Sequence, residues 1–148
     1  MQYWEILANI KEKKFCPFCQ EKHEHMIYEN EYMYIIPARA PYVEDHLLII
    51  PKRHVVLLQE LTHPELISLH ELVDIWTNKL HTHHEAVNLL LRDGLAEKKC
   101  QKSINHLHFH LIPDCPIWET TGKNEPNREF LDEQTYINIT QIIKQTYN

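Results

Sequence analysis

Apolar residues recur along the chain in two periods. Tyr3, Trp4, Leu7 and Ile10 fall on one side of a helix, which predicts a short amphipathic helix over the first fourteen residues, ending in Lys11–Lys14. Three strand-length runs rich in Tyr, Ile and Leu follow at hairpin spacing: His25–Tyr28, Tyr32–Pro37 and His46–Pro51. The link Ala38–Asp45 carries Pro41 and is too long for a tight turn. Thr62-His63-Pro64-Glu65 starts a helix, with Thr as N-cap, Pro in the first turn and Glu three residues on to close a capping box. Leu66, Leu69, Leu72, Val73 and Trp76 then keep helical spacing and carry that helix to about His83. Val87–Leu91 and Asn105–Pro113 read as two more strands, separated by the polar loop Arg92–Ile104, and Tyr136–Ile143 as a closing helix. The order predicts an α+β fold: an antiparallel sheet of about five strands, one long helix and a C-terminal helix. A chain of 148 residues is one domain long, with its core expected over residues 15–114.

Composition narrows the chemistry. The 15 Lys+Arg and 21 Asp+Glu leave a net charge of -6, so the surface does not attract nucleic acid or anionic lipid, and a phosphate must be caught locally. Gly94 and Gly122 are the only glycines, which excludes Gly-rich phosphate loops of the Walker and dinucleotide-binding types. No apolar run approaches the length of a membrane span, and the N-terminus lacks the basic n-region of a signal peptide. Cys16-Pro17-Phe18-Cys19 is a C-x-x-C in no secretory context, which suggests a metal or redox pair in the cytoplasm.

The segment His106-Leu107-His108-Phe109-His110-Leu111-Ile112 carries the most chemistry. On a strand, its three imidazoles project to one side at steps of roughly 6.5–7 Å, while Leu107, Phe109 and Leu111 enter the core. An ordinary wet face would use Thr, Lys or Glu. Histidine is the side chain that can be nucleophile, acid and metal ligand near neutral pH. A metalloenzyme H-x-H pair is an alternative, with Asp114 as the nearby carboxylate. His81, His83 and His84 sit where cations suit a helix C-terminus.

His-x-His-x-His followed by two apolar residues resembles the signature of the histidine-triad (HIT) superfamily of nucleotide hydrolases and transferases. His46-Leu47-Leu48-Ile49-Ile50-Pro51-Lys52-Arg53-His54 is similar to a second family block, and the C-x-x-C resembles that of the zinc-bearing members. The resemblance implies a HIT-like fold, a homodimer, and cleavage of a phosphoanhydride or phosphoramidate; within that class dinucleoside polyphosphates are favoured because Arg92 and the lysine loop before the triad could hold a long anionic leaving group. It implies His108 as the nucleophile that forms a covalent nucleotidyl intermediate, His110 as its partner at the phosphoryl oxygens, and Ser103 and His46 as phosphate ligands, to which Arg92 is added as a candidate by its own chemistry. It further implies a structural zinc on Cys16, Cys19, His54 and His106. A local knuckle of Cys16, Cys19, His23 and His25 is the alternative metal site. A phosphorylase with phosphate as acceptor, or a nucleotide-binding module with little turnover, are the alternative functions.

The sequence departs from the family pattern at three places. The acid with which many members hold the ribose falls on Ala38, with Pro41 retained. The family's Asn at the end of the fourth strand is Arg92, whose fork suits a more phosphorylated substrate. The loop before the triad, Lys98-Lys99-Cys100-Gln101-Lys102, is Gly-poor and reads either as a clamp for distal phosphates or as a solvated loop.

Overall fold

The structure is a computed structural model and describes Glu5, Ala8 and residues 15–95, 102–116 and 128–148. Five strands, β1 (Tyr28–Glu29), β2 (Met33–Pro37), β3 (Leu47–Pro51), β4 (Val87–Leu91) and β5 (Phe109–Pro113), form one antiparallel sheet in the spatial order β1-β2-β3-β5-β4. Helix α1 (His63–Leu80) lies between β3 and β4 in sequence, and α2 (Glu133–Thr146) closes the chain. The expected α+β class and five-stranded sheet are what the chain adopts.

Every residue of β2, β3 and β5 is buried, which is why these strands read as continuous apolar runs without clean alternation. One face packs under α1, where Leu72, Trp76 and Leu80 meet Met33, Ile35, Leu47, Ile49 and Leu111. Each such side chain contributes about 1.5–3 kcal/mol on burial. The other face holds a smaller cluster of Phe18, Tyr34, Ile36, Ala38, Leu48 and Ile50. In the register Leu48 pairs with His110 and Leu90 pairs with the same His110, so the triad strand sits between two neighbours in mid-sheet.

The capping box of α1 forms as the sequence predicts: Glu65 N donates to Thr62 Oγ1 at 3.4 Å, and Thr62 N donates to Glu65 Oε1 at 3.1 Å. The helix ends at Leu80, earlier than His83, because the next residues turn on Leu80: the amides of His83 and His84 both donate to its carbonyl. Leu66 is 39% exposed and stands outside the apolar stripe, while Glu65 is buried and accepts from Arg53 Nη2 at 2.8 Å. The strand expected at His25–Tyr28 is shorter, because His23–His25 form a 3-10 turn in which the buried His25 ring lies between Glu21 and Glu133. Likewise the ladder of β5 begins at Phe109 and not at Asn105, because Leu107 N leaves it to donate to Val55 O at 2.7 Å. The closing helix runs longer than Tyr136–Ile143, capped by Asp132, whose side chain accepts from Thr135 N.

His84 is more than a cation suiting a helix end. Its Nε2 donates to Asp45 Oδ2 at 2.7 Å and its Nδ1 donates to Asp114 Oδ2 at 2.9 Å. Asp45 (φ 62) and Asp114 (φ 50) are left-handed, one directly before His46 and one directly after β5. The imidazole therefore staples two strained turns together. Lys102 is also not a solvated clamp, since it is buried and its Nζ donates to the carbonyls of Val56 at 2.7 Å and Gly94 at 3.1 Å. The remainder of that lysine loop, and the N-terminal helix apart from Glu5 and Ala8, lie outside the described residues. Among the described residues no helix is long and apolar enough to cross a membrane.

Candidate active site

His106, His108 and His110 are 0%, 7% and 6% exposed, so the alternation seen in the sequence faces an enclosed pocket and not open water. His46, Arg92, Ser103, His108 and His110 line that one pocket. His106 takes a different direction. Its ring leaves the pocket for the C-x-x-C turn, where its Nδ1 lies 3.3 Å from Cys16 Sγ and 3.5 Å from Cys19 Sγ.

Hydrogen bonds fix the tautomer of each ring. His108 Nδ1–H donates to the carbonyl of His106 at 2.7 Å, which leaves its Nε2 lone pair available. Tyr42 N–H donates to His46 Nδ1 at 3.2 Å, so the proton of His46 is on Nε2, 2.9 Å from His110 Nδ1. His110 then accepts at Nδ1 and carries its own proton on Nε2, a buried atom that has no hydrogen-bond partner among the described residues. A backbone amide thus orients two imidazoles in series and ends in one N–H without an acceptor. A buried donor left this way costs about 1–3 kcal/mol, which a ligand oxygen would recover.

Burial keeps these rings neutral. It lowers His108 to about 4, with the charges of Lys102 and Arg92 adding to the effect and the bond to His106 O opposing it. His46 and His110 are held well below the ordinary value, first by burial and then by neighbouring cations and rings that include Arg128 and Arg92. A neutral imidazole with a free lone pair is a nucleophile; an imidazolium is not.

Beside the pocket, the ligand atoms of Cys16, Cys19, His54 and His106 all lie within 4.8 Å of one another. Cys19 Sγ is 3.1 Å from His54 Nδ1, and His106 Nε2–H donates to Pro51 O at 2.7 Å, which turns its Nδ1 lone pair toward the sulfurs. Two thiolates and two imidazoles at such separations fit the edges of a tetrahedron around zinc, about 3.3–3.8 Å for ordinary Zn–S and Zn–N bonds. Burial and the adjoining Cys16 push the Cys19 thiol up to about 11, a cost that a bound cation would reverse. His23 and His25 do not join this cluster. His23 pairs with Glu29 at 2.9 Å, and His25 is held by Glu21 and Glu133.

Sequence reading missed Arg128 and Phe130, which also line the pocket. Both lie in a tail with no hydrophobic period, so only the return of the chain over the sheet brings them there.

Fold and site define an α+β protein with a buried run of alternate histidines beside a Cys2His2 cluster. Residues 19–116 match the HIT domain, and the chain belongs to that family. It is 33% identical over 98 residues to the bis(5'-adenosyl)-triphosphatase of Saccharomyces cerevisiae, a match that covers 61% of this chain and 44% of that protein. The chain thus aligns with less than half of that relative. Among solved structures it resembles a histidine triad nucleotide-binding protein from Sulfolobus tokodaii, with a TM-score of 0.65, 26% identity and coverage of 89% of this chain and 91% of that one. A zinc-bound histidine triad family protein from Mycobacterium smegmatis shares the fold, with a TM-score of 0.63 and 21% identity, over 89% of this chain and 94% of that one.

Proposed function

We propose that this protein is a nucleotide hydrolase or nucleotidyl transferase of the HIT type, which cleaves a phosphoanhydride or phosphoramidate through a nucleotidyl-His108 intermediate. The observation that carries this reading is the tautomer pattern: a neutral His108 with its Nε2 lone pair unused, next to a His110 whose Nε2–H lacks an acceptor. His108 Nε2 forms a bond to the α-phosphorus as the bond to the leaving group breaks, and the electron pair departs with that group. Water then adds to phosphorus, the P–N bond breaks, and His108 regains its lone pair while a proton is released with the nucleoside monophosphate. His110, with Ser103, His46 and Arg92, stabilises the oxygens on which negative charge develops.

The donor set of Cys16, Cys19, His54 and His106 supports a structural zinc. Bound there, the ion supplies a closed cross-link between the N-terminal turn and the strands of the site, and no step of the reaction. Thiolates of this kind stay reduced in the cytoplasm, where we place the protein. We read the whole chain as one domain that pairs into a homodimer, and light scattering on the purified chain at micromolar concentration tests the pairing.

The test of function is product analysis of diadenosine triphosphate, diadenosine tetraphosphate and adenosine 5'-phosphoramidate, with and without inorganic phosphate, beside His108→Asn. AMP formed without phosphate and lost in His108→Asn is the expected result. ADP appearing only with phosphate would move the protein to the phosphorylases, and unchanged turnover by His108→Asn would overturn the nucleophile assignment.

A further inference from the structure

The pocket has two chemically different ends. One wall beside His108 is apolar, with the Phe18 ring centroid 5.1 Å from that of His108 and with Pro17, Ile36 and Ile104 in the lining, to which Glu21 and Arg39 also contribute. On the side of His46 and His110 two guanidinium groups converge on one tyrosine. Arg128 Cζ stands 3.9 Å from the ring centroid of Tyr42, and Arg92 Nη2 donates to the Tyr42 hydroxyl at 3.3 Å. Tyr42 in turn stacks on His46, with centroids 5.5 Å apart and planes at 24°, and His46 reaches His110. Both arginines line the pocket itself. The ring centroids of His108 and His110 are 5.0 Å apart and His110 Nδ1 is 2.9 Å from His46 Nε2, so the His46–His110 pair links the nucleophile to Tyr42 and the two guanidinium groups on it.

Arginine is held here in a manner that suits anion capture. Arg128 lies on the Tyr42 ring and donates Nε–H to the Ala40 carbonyl at 2.8 Å, so its plane is fixed. A guanidinium fixed by stacking meets phosphate oxygens with little further loss of freedom, and a fork can engage two oxygens at once. A planar base fits the apolar end, and a chain of phosphates extending from an α-phosphorus at His108 past His110 runs toward Tyr42.

We propose that Arg92 and Arg128, both braced on Tyr42, form a subsite for the distal phosphates of a nucleoside polyphosphate, so that the preferred leaving group is itself a phosphate or nucleotide and not an amine. The proposal rests on the reading of the pocket as a nucleotide site and adds to it the charge of the group that departs.

The decisive measurement is the affinity of AMP, ADP and ATP for the full chain carrying His108→Asn, with inorganic tripolyphosphate as a base-free competitor. Affinity is expected to rise at least tenfold from AMP to ATP, as charge-assisted contacts to phosphate imply. The gain is expected to fall to about threefold or less with Arg128→Gln, and to be restored in part by Arg128→Lys, which keeps the charge without the fork. Thermal melts confirm that each variant is folded. Equal affinity for AMP and ATP, or a gain that survives Arg92→Gln with Arg128→Gln, would overturn the subsite. The catalytic reading is judged separately. His108-dependent turnover of the phosphoramidate without a phosphate-dependent gain leaves the function and removes the subsite. A gain without turnover of any substrate keeps the subsite and removes the hydrolase.

Discussion

Replacing His84 by Ala removes a side chain that joins the turn before β3 to the turn after β5. Both ring nitrogens face carboxylates, at 2.7 Å to Asp45 and 2.9 Å to Asp114, so both must carry protons and the ring is an imidazolium. Hydrogen bonds to the two acids and their charges raise His84 above its ordinary value of 6.5, against the opposing effect of burial. The groups around it are Asp45 and Asp114, the Tyr147 hydroxyl that donates to Asp45, and the adjoining His83. The side chains of His84 and Asp45 are 13% and 15% exposed, so their charge-assisted bond is expected to contribute about 1.5–3 kcal/mol. Asp114 is 45% exposed, and water screens that arm. Because the folded value is raised, the contribution is fully present below 6.5 and is lost as pH rises through the folded value. Urea unfolding of the wild type and of His84→Ala at several values between pH 5.5 and about 9.5 reads this directly. The two proteins should differ most at the acid end and converge toward the alkaline end. Parallel curves across the range would show that His84 is not the charged staple, whatever their separation.

Three further outcomes follow from packing and from the Cys2His2 cluster. Cys16→Ser and His54→Ala are each expected to lower bound zinc, measured by atomic absorption on dialysed protein, from about one per chain to well below half, because each removes one of four ligands. Zinc retained in His54→Ala would direct attention back to His23 and His25. Leu111, fully buried between α1 and the sheet, should cost about 2–5 kcal/mol when cut to Ala, read by denaturant unfolding. Thr62→Ala should cost about 1 kcal/mol through loss of the α1 cap, with the melting temperature falling by a few degrees.

Local signals made much of this protein legible in its sequence. The capping box at Thr62–Glu65, the strand Val87–Leu91 and the alternation around His108 are all decided within a few residues, by hydrogen bonds and periodicity that act locally. The residue types of the site, three alternate histidines and a C-x-x-C, announce chemistry for the same reason: few structural roles call for them.

Other features depended on partners far away in the chain. That His25 ends a 3-10 turn and takes no place in a strand follows from Glu133, 108 residues on. That β5 starts at Phe109 follows from the carbonyl of Val55, which no period along the sequence records. The division of labour within the triad is of the same kind. His106 turns to Cys16 and Cys19 while His108 and His110 stay in the pocket, because the carbonyls of Pro51 and His106 and the ring of His46 each fix one tautomer. Arg128 reaches Tyr42 only because the tail folds back over the sheet. The sequence by itself determined which side chains are present and the local elements that carry them. The tertiary structure decided which nitrogen of each ring faces which partner, since a hydrogen bond is set by distance and direction in space and not by separation along the chain.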